Sequence, residues 1–106
     1  MGLLIAQMRQ AELIKHRSDL EYQLQLISTT KMDLSSKINE LVGLGADLDA
    51  DSPEMKALEK KKERLYQAEK ALDQKLQRYQ NQLQMAESEL QGVQQQVQQG
   101  IQRAYA

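Results

Sequence analysis

The chain has no cysteine, no tryptophan and no phenylalanine, and only one proline. Without cysteine there are no disulfides and no thiolate metal sites, although the count leaves the compartment open because exported proteins can lack it too. Four tyrosines are the only aromatic residues in 106. That is too few bulky side chains for a compact globular core, so the apolar residues of this single domain must line up as a seam. Neither sign of charge dominates either: 14 basic and 15 acidic residues give a formal net charge of -1. No overall field draws the chain to nucleic acid or to anionic lipid. Long hydrophobic runs are missing as well. Leu3-Leu4-Ile5-Ala6 is interrupted by Gln7 and Arg9, which excludes a membrane span and a cleaved secretory signal and makes membrane insertion unexpected. Gly2 lacks the Ser or Thr that N-myristoylation wants four residues on, since Ala6 stands there.

What is present is a heptad seam. It runs Leu3, Ala6, Gln10, Leu13, Arg17, Leu20, Leu24, Ile27, Lys31, Leu34, Ile38, Leu41, in alternating steps of three and four. The spacing predicts a long amphipathic helix over about residues 3–42. At about 1.5 Å per residue, some 40 residues span about 60 Å, a length that belongs to coiled coils and bundles. The same alternation resumes as Leu58, Lys62, Leu65, Glu69, Leu72, Leu76, Tyr79, Leu83, Ala86, Leu90, Val93, Val97. A second helix is therefore expected over about 53–104.

Between them lies Gly43-Leu44-Gly45-Ala46-Asp47-Leu48-Asp49-Ala50-Asp51-Ser52-Pro53. Gly43 and Gly45 are helix-ending signals, and Ser52 with Pro53 at the first helical position starts the next helix. Asp51 is an equally good N-cap, with Glu54 closing a capping box. The predicted fold is all-α: two long helices in an antiparallel coiled-coil hairpin with its bend at about 43–53.

Folding the chain at this bend pairs seam residues whose numbers total 99 or 100, such as Leu41 with Leu58 and Leu3 with Val97. Lys31 then falls opposite Glu69, a candidate ion pair that would fix register; the alternative is that both long side chains snorkel to solvent. In this register residues 98–106 overhang. That overhang carries Ile101 and Tyr105, and helix one carries Leu4, Ile5, Met8, Ile14, Tyr22, Leu26 and Met32 off the seam. A two-helix hairpin cannot cover both sets. Leu3 to Met8 and the open end are therefore expected to be a self-assembly interface, with the chain's principal partner a copy of itself.

Signals of chemistry are weak. Asp47, Asp49 and Asp51 imitate the start of an EF-hand loop, but Ser52 replaces the turn glycine and Leu58 replaces the bidentate glutamate. His16, the only histidine, sits between Lys15 and Arg17 with no acidic partner at a metal-ligand spacing. No catalytic, metal or cofactor site is expected. Lys60-Lys61-Lys62 with Arg64 is hemmed by Glu59 and Glu63 and has no interleaved aromatic residues, so it reads as a solvated helix face. The Gln-rich stretch 91–102 keeps a helical spacing through Val93, Val97 and Ile101.

Two helices, a bend rich in Asp and Ser followed by Pro53, and the ending Ile101-Gln102-Arg103-Ala104-Tyr105 resemble the needle and filament subunits of bacterial type III secretion systems. The resemblance covers the bend and the last few residues. It departs from the family in its greater length, in its aromatic residue falling one place later, in Ser52-Pro53 at the bend, and in the absence of the Tyr-Asn block after the bend. It implies a structural subunit, exported without a cleaved signal to the cell surface and stacked helically, with a secretion chaperone or apparatus as a further partner. The competing expectation is a cytoplasmic coiled-coil adaptor or chaperone that presents the hairpin to a larger machine.

Overall fold

The expected seam is where the chain buries its side chains. A computed structural model describes residues 2–105, and its described residues form two helices, α1 (Leu3–Gly45) and α2 (Pro53–Ala104), with no strand. In α1 every residue that is not exposed belongs to the predicted series from Leu3 to Leu41 or continues it at Gly45. In α2 the half-buried and buried positions are the predicted series from Leu58 to Val97, with Met55 before it and Gly100 after it. The protein is an all-α helical hairpin.

The helices pack as two units. One comprises residues up to Leu24 with those from Arg78 onward, and the other is Gln25–Gln77. The first holds a core of Ala6, Leu13, Leu20, Ala86, Leu90 and Val97. In the second only Ile27 and Ile38 are buried, while its seam leucines remain half-buried.

The register differs from the one expected. In the first unit Leu3 lies against Gly100, where a Cβ on the glycine would come within 3.0 Å of Leu3 Cδ1. In the second, a Cβ on Gly45 would come within 2.9 Å of Leu58 Cδ2. Facing residues in each unit thus total 103, in place of 99 and 100. The reason is a property of antiparallel pairs. Writing the seam positions as a and d, an a residue of one helix must face a d residue of the other, because a step of +3 along one strand meets a step of −3 along its partner. The expected pairing set a against a and d against d, which suits parallel helices.

The polar contacts follow the corrected register. Lys31 forms its ion pair with Asp73, not with Glu69. Glu69 instead accepts a hydrogen bond from the Ser35 hydroxyl at 3.5 Å. Lys31 faces Leu72 in this register and reaches the following residue; Glu69 faces Leu34 and meets the residue after it. Burying a leucine contributes about 1.5–3 kcal/mol, whereas a surface ion pair contributes about 0–1. The leucine layers therefore set the register and the ion pair adapts to it.

The bend is shorter than 43–53. Gly43 and Gly45 are inside α1, and no glycine among the described residues has positive φ, so neither forms a left-handed cap. The helix tightens instead into i→i−3 bonds, with Ala46 N donating to Gly43 O at 3.3 Å and Leu48 N to Gly45 O at 3.2 Å. A Cβ at Gly45 would oblige the Leu58 side chain to shift. At the start of α2 the Ser52 hydroxyl accepts from Met55 N at 3.1 Å and donates to Asp49 O at 2.9 Å. Ser52 is the N-cap, Pro53 the first helical residue, and Asp51 makes no capping bond.

Three outcomes follow. Ser52→Ala lowers unfolding free energy by about 1 kcal/mol and Asp51→Ala by much less, measured by urea denaturation. Gly43→Ala raises stability by about 0.5–1 kcal/mol, because its Cβ meets nothing within 4 Å; a left-handed glycine would give a loss. A double-mutant cycle finds coupling between Lys31→Glu and Asp73→Lys and none between Lys31→Glu and Glu69→Lys.

Candidate interaction surface

Side chains that leave the seam collect on the outside of α1. Leu4 is 69% exposed, Met8 59% and Tyr22 60%, with Ile5 and Ile14 also exposed in the first unit and Leu26 in the second. Ile101 and Tyr105, the latter 88% exposed, lie on the last turns of the first unit. Leu3 is the exception among the expected interface residues. It is half-buried in the seam against Gly100, as its place at the head of the seam series requires; the corrected register, which carries α2 one turn further along α1, changes only the residue it faces. In that register the overhang starts at Ile101, not at Gln98.

Several exposed apolar residues were not singled out by periodicity. Met85 is exposed in the first unit, and Val42, Leu44, Leu48 and Tyr66 in the second. Met85 sits outside the α2 seam with glutamine as its usual neighbour type, and one methionine in a polar face carries no sequence signal.

Beside Met85 the first unit has an open groove of about 300 Å³ floored by Leu13 and Ala86 and edged by Arg9, Glu12, His16, Gln82 and Glu89. Across it Arg9 Nη2 donates to Glu89 Oε2 at 2.7 Å, and Arg9 Nη1 donates to Glu12 Oε2 at 3.2 Å. Glu89 foremost, then Glu12, raises the Arg9 pKa above its ordinary value. The guanidinium thus holds both acids in place at the groove edge. His16 edges the groove without an ion pair among the described residues.

Among the described residues the arrangement offers contact area, with no convergent set of reactive groups. Asp47, Asp49 and Asp51 are exposed in the bend, and no three His, Asp or Glu side chains among the described residues are grouped so as to hold a metal ion. Among those residues no helix is long and apolar enough to cross a membrane. Comparison with family models, with curated proteins and with solved structures gives no match.

Proposed function

We propose that the chain is a structural subunit that assembles with copies of itself into a helical filament or needle-like appendage, joining through the outer face of α1 and the open end of the hairpin. The observation that carries this reading is the exposure of Leu4, Ile5 and Met8 on one terminal segment, with Ile101 and Tyr105 exposed on the other terminal segment of the same unit. Scattered single apolar residues are ordinary on a protein surface, but three within five residues are the mark of a contact face. A heterologous contact that does not close would extend such hairpins into a fibre. On this reading the subunit works at the cell surface, and a secretion chaperone or apparatus is its partner before assembly.

The second reading is a coiled-coil adaptor or chaperone working in the cytoplasm. It is favoured by the groove beside Met85, which offers a place for one discrete partner. Electron microscopy of the purified protein at rising concentration separates the two. Fibres of uniform width are expected for the subunit; a monodisperse hairpin at every concentration would contradict it and favour the adaptor. Deleting residues 101–106 is expected to abolish fibres while leaving helical circular dichroism almost intact, and a truncated chain that still forms them would remove the open end from the interface.

A further inference from the structure

The outer side of α1 carries a second stripe with the spacing of a coiled-coil seam. In the first unit it reads Leu4, Met8, Ala11, Lys15, Ser18, Tyr22, again in alternating steps of four and three. All six are exposed. Lys15 is the only charge among them, although Arg9, Glu12, Arg17, Asp19 and Glu21 occupy other faces of the same segment. The corresponding outer stripe of α2 in that unit, Asn81, Gln84, Ser88, Gln91, Gln95 and Gln98, is polar throughout. Only α1 therefore combines a strip that carries a single charge with exposed Met and Tyr, residue types enriched at protein interfaces.

We propose that this stripe pairs with the same stripe of a second copy, antiparallel about a two-fold axis near Leu13. The inference rests on the self-assembly reading and specifies its first contact. The rule seen within the hairpin, that facing residues keep a constant total, pairs Leu4 with Tyr22 of the second copy, Met8 with Ser18 and Ala11 with Lys15. The apolar ends thus meet Tyr22, and nearest the axis the small Ala11 leaves room for the Lys15 side chain of the other copy.

The lone charge is accommodated by the same geometry. Within the hairpin Lys31 reaches Asp73, the residue after the one it faces. Lys15 faces Ala11 of the second copy, and the residue after Ala11 is Glu12. Two-fold symmetry makes this Lys15–Glu12 pair twice. Lys15 has no ion-pair partner within its own chain among the described residues, and the Glu12 side chain is 65% exposed while holding Arg9, so one carboxylate oxygen remains for a second cation. A parallel pairing would instead set Lys15 beside Lys15. A two-fold dimer is closed, and the end bearing Ile101 and Tyr105 stays outside it as the surface available for growth.

The cysteine-free sequence allows a direct test in the full chain. Met8→Cys and Ser18→Cys are combined, and the protein is oxidised under conditions in which it self-associates. Within one helix these positions are about 15 Å apart, too far for a disulfide. The double variant is expected to give covalent dimers on a non-reducing gel, and each single variant none. Dimers from the single variants, a ladder of higher multimers, or association without cross-linking would each overturn the two-fold pairing while leaving self-assembly standing. A chain that stays monomeric by sedimentation at every concentration would overturn both. As a second measurement that leaves the stripe's apolar residues intact, Lys15→Glu is expected to weaken dimerisation about tenfold or more and Lys15→Glu with Glu12→Lys to restore it; no recovery would contradict the Lys15–Glu12 contact.

Discussion

Antiparallel helices joined along an a/d seam can face one another only with a opposite d, and the rest of this structure follows from that constraint. It fixes the total of facing residue numbers, and from the total come the contact of Leu3 with Gly100, the approach of Leu58 to Gly45 and the choice of Asp73 as the partner of Lys31. Leucine burial supplies the energy and the ion pair only conforms. The two glycines at the ends of the seam are sites of close approach, not of unusual backbone.

The seam was legible in the sequence almost residue by residue, since a strict three-four alternation of Leu, Ile, Val and Ala has one structural meaning. Register was less so. Shifting one strand by half a heptad still sets apolar against apolar, and the opposite charges of Lys31 and Glu69 made the wrong alignment attractive. Asp73 gives no periodic signal because it lies beside the seam, so the true partner could be found only once the layers were known. The break lies within the expected stretch but is narrower than it, because glycine is read as a stop, whereas here both glycines keep helical geometry and a pair of tight i→i−3 bonds ends the helix.

The exposed apolar face of α1 was legible in part. Leu4, Ile5, Met8 and Tyr22 could be read as off-seam apolar residues from spacing alone, and they are exposed. Leu3 lies on the seam in either register, facing Val97 in the expected one and Gly100 in the observed one, and its half-burial follows from that place. The difference between the two outer faces, apolar on α1 and amide-rich on α2, gives the hairpin a sided character. The proposal that α1 is the face for another copy rests on this asymmetry more than on the number of exposed side chains.

Methionine methyl NMR tests that selection most directly, because the chain's five methionines are spread along it and Met8 alone lies within the stripe from Leu4 to Tyr22. With rising protein concentration the Met8 methyl resonance is expected to shift or broaden first, while those of Met32 and Met55 in the other unit keep their dilute-solution positions. A Met8 resonance that stays unchanged while the protein associates, or one that moves only after Met32 and Met55, would contradict the assignment of this face.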